Sequence, residues 1–251
     1  MSPLECGLYV VATPIGNLGD ITLRGIEVLM LADRIACEDT RVTRKLLSRH
    51  SIKTKFTSYH DHNANTVRPA LIQEIKNGGT VALVCDAGMP SISDPGYKLI
   101  RDSILAGLYV TVVPGASAGL SGLVLSGLPT DRFLFLGYLP SKSQQRRNTL
   151  EEISGISASL IFYESPERLV NSLKDMFCVL GDRPAAVLRE LTKLHEEVRR
   201  GSLNELSAHY ADKAKPRGEI VVVVGPALDI EKISDNEIAN ILENRLKNLS
   251  V

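Results

Sequence analysis

The chain has 251 residues, 44% of them hydrophobic, which suits one large packed domain or two small ones and excludes a disordered chain. Its 29 basic and 29 acidic residues cancel, excluding a protein that coats nucleic acid by bulk attraction and leaving that work to local basic clusters. No apolar run approaches the roughly 20 residues of a membrane helix, and Met1 to Leu8 lacks the basic-then-apolar pattern of a secretory leader.

In chain order, Leu8 to Ala12 is an apolar first strand, Thr13 to Asp20 a loop, and Thr22 caps a helix to about Ala32. Arg34 to Cys37 is a short second strand ending at Glu38-Asp39-Thr40-Arg41, and a basic helix runs on to Arg49. Lys55 to Ser58 is a third strand, His60-Asp61-His62-Asn63 its exit loop, and a helix continues to about Lys76. Thr80 to Val84 carries no charge and reads as a strand buried on both faces inside a parallel sheet. Asp94 and Pro95 then have the N-cap and first-turn chemistry of a helix reaching Ala106. Tyr109 to Val113 is another strand, Pro114 to Ser117 a turn, and a helix ends near Ser126.

Gly127-Leu128-Pro129-Thr130-Asp131 reads as a boundary. Beyond it come a strand at Phe133 to Gly137, a loop at Tyr138 to Lys142 and a basic helix containing Arg146 and Arg147. Ser159 to Tyr163 is a strand, Pro166 to Val179 a helix, Ala185 to Glu190 and Glu196 to Arg200 an antiparallel pair, and Gly218 to Val224 an apolar strand. The expected architecture is α/β with a parallel-sheet N-terminal domain over residues 1–127, a mixed α+β domain over 128–230, a helical tail over 231–251, and a ligand cleft between the domains.

Four loops gather at the carboxyl ends of the N-terminal strands: Pro14 to Asp20, Glu38 to Arg41, Asp86 to Asp94, and Pro114 to Ser117. In a parallel sheet those ends share one edge, where ligands bind, so topology alone places a site there. Gly16-Asn17-Leu18-Gly19 imitates a dinucleotide fingerprint, but Pro14 stands at its first glycine and lacks the amide donor a pyrophosphate uses. Ser117 lies in G-A-S-A rather than a hydrolase elbow. His60 and His62 lack a third partner at metal-motif spacing, so a polar loop and no metal are expected. Asp86 suits a general base, a hydrogen-bond acceptor for a cofactor, or a turn. Cys6, Cys37, Cys85 and Cys178 are spread too widely for a zinc motif and are few for a disulfide scaffold, which suits reduced thiols in a cytoplasm.

Seven motifs occur in order over almost the whole chain: Leu8 to Arg24, Ala36 to Thr43, Asp86 to Tyr97, Val113 to Ala118, Phe135 to Lys142, Phe162 to Arg168 and Arg217 to Val224. Together they resemble the tetrapyrrole-methylase superfamily, and within it the branch that modifies small-subunit ribosomal RNA. Cys85 and Met89 stand where that pattern has small hydroxyl residues. The resemblance implies methyl transfer from S-adenosylmethionine to the ribose 2′-hydroxyl of a cytidine in the decoding region of 16S rRNA, by a homodimer that binds its cofactor between two domains. It implies that Pro14, Asp86, Ala87, Gly88, Ile92, Ser93, Ala116 and Ser117 approach the cofactor from one side. Tyr163 and the turn Pro216, Arg217 and Gly218 would close from the other. Arg24 and Arg41 fall on the substrate side, where Lys142, Arg146 and Arg147 add basic charge. Glu38 and Asp39 are the candidate bases, with pairing of both to Arg41 the structural alternative. A methylase of a tetrapyrrole or other small molecule, and a non-catalytic RNA-binding protein, are the rivals.

Overall fold

In the N-terminal strands, alternate residues feed two different cores, which is why these segments are apolar without interruption. In β1 (Gly7–Val11), Leu8 and Val10 pack with one helical layer while Tyr9 and Val11 pack with the other. The same split holds in β2 (Arg34–Cys37) and β4 (Thr80–Val84). With β3 (Phe56–Ser58) and β5 (Val110–Val113) they form one all-parallel sheet in the order β3-β2-β4-β1-β5. Helices α1 (Leu23–Leu31) and α2 (Thr40–Arg49) cover one face; α3 (Ala64–Lys76) and α4 (Tyr97–Leu105) cover the other. The molecule is a computed structural model that describes residues 3–212 and 216–227. The helical tail expected over 231–251 lies outside the described residues.

β1 and β4 are neighbours, yet the chain leaves β1 toward β2 and leaves β4 toward β5, in opposite directions over opposite faces. A crevice opens at the carboxyl ends of two strands that part in this way. That topology places the site before any side chain is considered.

The second sheet is mixed, in the order β6-β7-β10-β8-β9, from β6 (Phe133–Tyr138), β7 (Ser159–Glu164), β8 (Pro184–Arg189), β9 (Glu197–Ser202) and β10 (Ile220–Val224). Its outer face packs on α6 (Ser143–Glu152), α7 (Leu169–Leu180) and α8 (Leu203–Ala211) through Leu150, Leu169, Leu173 and Leu206. Its inner face packs Ile161, Leu188, Val221 and Val223 against Leu123 of α5 (Ala118–Ser126) and against Ile15 from the first loop. So α5, which precedes the Gly127 boundary, packs on the second sheet. Gly122 makes this possible, because a Cβ there would meet Val221 Cγ1 at 2.8 Å.

Two expectations change. Helix α4 starts at Tyr97 with Gly96 (φ 139°) as its N-cap, rather than at Asp94-Pro95, because Asp94 turns inward beside Cys85. Helix α8 went unforeseen: Ser202 ends β9 and caps α8 at once, in a reciprocal box with Glu205. The S-x-x-E spacing that announces such a box is present in the sequence.

Candidate active site

The loops at the carboxyl ends are stitched together by their backbones. Thr13 N–H donates to Gly88 O at 2.9 Å and Gly88 N–H returns to Thr13 O at 3.0 Å, joining the first and third loops. Asp39 N–H donates to Asp86 Oδ1 at 3.0 Å, joining the second and third. The second sheet adds its β8–β9 loop, where Thr192 Oγ1 accepts from Asn17 N–H at 3.0 Å. Glu190 (φ 54°) and Thr192 (φ 65°) hold left-handed conformations that suit neither side chain, so this loop is held by its contacts. Lys193 Nζ fastens it by bridging Glu190 and Glu219, each at 2.8 Å.

Between the sheets lies a cavity of about 280 Å³. Ile15, Glu38, Asp86 to Met89, Ile92 to Asp94, Ser117 and Ala118 line it from the first half, and Tyr138, Tyr163, Leu191 and Glu219 to Val221 from the second. Among the described residues of the wall, four are acidic and none is basic. The carboxyl groups feel their burial and each other. Glu38 is raised by burial, then by the Asp86 and Asp94 charges. Asp86 is raised by burial, against the pull of the Asp39 amide. Burial, with the Asp86 and Glu219 charges added, pushes Asp94 up to about 6, although the Cys85 thiol acts the other way.

Asp94 therefore ties stability to pH. Held above its ordinary value of 3.8, it ionises at a cost in the folded protein. The cost is absent below that value and complete above about 6, so stability falls as pH rises through the window. Asp94→Asn is expected to raise stability at about pH 7.5 by on the order of 1–3 kcal/mol and to match wild type near pH 4. Urea midpoints at the two pH values check this; the same offset at both would contradict it.

Of the residues proposed from sequence to hold a cofactor, the cavity wall contains Asp86, Ala87, Gly88, Ile92, Ser93, Ser117 and Tyr163. Pro14 is buried behind the wall and Ile15 takes its place. Ala116 packs in the core behind Gly88. Pro216, Arg217 and Gly218 lie outside the wall, which is formed by the next three residues, Glu219, Ile220 and Val221, because β10 reaches the cavity with its first residues rather than its preceding turn. Glu38 lines the cavity; Asp39 does not. The Asp39 carboxylate caps α2 and grips Arg41, whose N–H and guanidinium donate at 2.7 and 2.6 Å. These bonds hold Asp39 at about 2, so it is a poor base.

The expected basic rim is partly corrected. Arg146 is 3% exposed and donates to Asp175 at 2.8 Å, an interior pair rather than a rim cation. Arg147 is half exposed and bonds the other Asp175 oxygen at 2.6 Å. Arg24 donates to Val112 O at 2.7 Å. Arg41 and Lys142 are exposed, as are Arg44, Lys45 and Arg49 on the same outer face of α2. Asp94, Tyr138, Leu191 and Glu219 are wall residues that were not foreseen. Asp94, Tyr138 and Glu219 lie inside the sequence motifs without having been named for the site, and Leu191 lies outside all of them.

Residues 7–207 match the family of tetrapyrrole (corrin/porphyrin) methylases. The ribosomal RNA small subunit methyltransferase I of Mesorhizobium japonicum is 54% identical over 226 residues, covering 90% of this chain and 77% of the relative. Its counterpart from Bacillus subtilis is 44% identical over 217 residues, covering 86% and 74%. Among solved structures, diphthine synthase superposes with a TM-score of 0.67 at 19% identity, covering 87% of this chain and 89% of that one. The cobalamin biosynthetic enzyme cobalt precorrin-4 methyltransferase gives 0.64 at 14%, covering 87% and 94%. The fold is the one expected from sequence, and the chain is a methyltransferase belonging to the tetrapyrrole methylase family, in the group of the ribosomal RNA small subunit methyltransferases I.

Proposed function

We propose that this chain uses S-adenosylmethionine to methylate the ribose 2′-hydroxyl of a cytidine in the decoding region of 16S rRNA, as a cytoplasmic homodimer. The observation that carries the reading is the cavity itself, with four carboxyl side chains and no basic one among the described residues of its wall. Such a wall suits a cationic ligand, and the donor carries a sulfonium and an ammonium group. Asp86, Ala87, Gly88, Ile92, Ser93 and Ser117 would hold it from one side, Tyr163 and Glu219 to Val221 from the other. When bound, the donor supplies a methyl group on a positively charged sulfur, which needs no metal to be electrophilic.

The protein's own part is to position the ribose oxygen and take its proton. Glu38 stands on the cavity wall at the end of β2 with its carboxyl raised toward neutrality, as a base requires. Asp86 fixes the adjoining backbone by accepting from the Asp39 amide. Orientation of this kind supplies much of the acceleration in a displacement. Four exposed cations, Arg41, Arg44, Lys45 and Arg49, lie along the helix that leaves Glu38-Asp39. In a chain with no net charge, they give a polyanion a place to meet the mouth of the cavity. The names of the relatives support the RNA substrate. For the homodimer, the support is apolar exposure: Leu120 and Val124, one turn apart on α5, and Val112 on edge strand β5 all face outward.

Calorimetric titration with S-adenosylmethionine tests the donor. Wild type is expected to bind it, and Asp86→Ala to lose roughly 10- to 100-fold or more in affinity, as when a charged hydrogen-bonding group is removed. A folded Asp86→Ala variant with unchanged affinity would sink the assignment. Labelled methyl transfer to small subunits, against precorrins, separates an RNA enzyme from a small-molecule methylase.

A further inference from the structure

We infer that Tyr138 is the stacking platform for the target nucleobase, so that the mouth of the cavity receives one base turned out of the RNA. The inference rests on the RNA-methylating reading above and adds a specificity residue to it. It starts from the alternation in β6. Leu134 and Leu136 point into the outer core, and Phe135 points the other way, into the inner core. A regular strand would send Tyr138 after Leu134 and Leu136, away from the cavity.

It does not go there because the register with β7 shifts between Phe135 and Gly137. Gly137 sits at φ 62°, a conformation open to glycine, and the extra residue carries Tyr138 across to the side of Phe135. Both rings then meet Tyr163 edge to face, Phe135 at 5.0 Å and Tyr138 at 5.7 Å between centroids. A bulge beside a site commonly re-aims one side chain, and here that side chain is an aromatic ring in the wall.

The ring is also held. Arg168 donates to Leu139 O, and Arg146 donates to Pro140 O and Ser141 O at 3.2 and 3.1 Å, pinning the three residues after Tyr138. Arg168 is itself anchored at 3.1 Å to the buried carboxylate of Glu164. Yet Tyr138 remains 57% exposed, with Tyr163 half-buried behind it. A rigid ring that offers its surface at a cavity mouth is what proteins use to hold an unstacked base. The donor has the inner wall, with Tyr163 and the glycine loop; the outer ring is left for the acceptor strand. A base resting on Tyr138 would bring its ribose toward the carboxyl groups inside.

The test exploits a chain with no tryptophan. Tyr138→Trp gives a single indole at the platform. Its emission is expected to be quenched by unmethylated small ribosomal subunits and unchanged by S-adenosylmethionine alone. Tyr138→Ala should raise KM for the subunits roughly 5- to 150-fold, the usual worth of one base stacked on one ring, with donor affinity unaltered. Tyr138→Phe, which keeps the ring, should recover most of the KM loss seen in Tyr138→Ala. Quenching by the donor alone, or an equal loss of donor affinity in Tyr138→Ala, would assign the ring to the donor's adenine and overturn the platform. So would wild-type methyl transfer to subunits with no quenching. If wild type methylates no subunit at all, the RNA reading fails, and the platform with it.

Discussion

Arg146→Ala is expected to destabilise the protein by about 3–5 kcal/mol, whereas Arg147→Ala has a far smaller effect. The two arginines are adjacent in sequence and share one carboxylate, but their surroundings differ. Arg146 and Asp175 are 3% and 5% exposed at the side chain, so removing the guanidinium leaves a buried carboxylate without its interior partner. It also frees the carbonyls of Pro140 and Ser141. Arg147 reaches the same carboxylate from solvent, where water and salt replace much of what it gives. Urea unfolding of the two single variants decides the matter. Equal small losses, together with a salt slope of subunit binding reduced by about one in Arg146→Ala, would return Arg146 to the RNA-facing rim.

Glu38→Gln is expected to lower kcat for methyl transfer by roughly 10²- to 10⁴-fold, the usual contribution of a positioned base, with donor affinity changed far less. The Gln side chain keeps the shape and loses the proton acceptor. The pH profile gives a second reading. Glu38 is held above its ordinary value by burial first, then by Asp86 and Asp94, so the wild-type rate should climb as pH rises through that raised value. The variant should lose that limb. Single-turnover measurements at saturating donor isolate the chemical step. A Gln variant that transfers at the wild-type rate would leave Glu38 as one more charge on the wall.

Much of the fold was legible because its strands are buried on both sides. An uncharged run such as Thr80 to Val84 has no other comfortable place, and a parallel sheet fixes the edge on which the loops gather. The placement of the Asp86 to Asp94 loop at the cavity was legible for the same reason, whereas Ser93 was named by the resemblance. The rest depended on partners distant in sequence. Arg146 looks like any helix-surface arginine until Asp175, 29 residues on, is folded against it. Asp94 followed by proline has the local chemistry of a cap, but the interior beside Cys85 competes for its carboxyl and wins. Tyr138 reads as a loop residue, since a bulge at one glycine cannot be seen in an apolar run. Helix α8 was hidden differently, because β9 runs into it without an intervening loop, and the cap residue is also the strand's last.

As a member of its group, this methyltransferase should mark a ribose in small-subunit rRNA. The most direct measurement is a map of ribose 2′-O-methylation along that RNA, from cells with and without the protein. The expected result is a single cytidine in the decoding region that is methylated when the protein is present and unmodified when it is absent, with the mark restored by wild type and not by Glu38→Gln. Identical maps from the two cells would contradict the account.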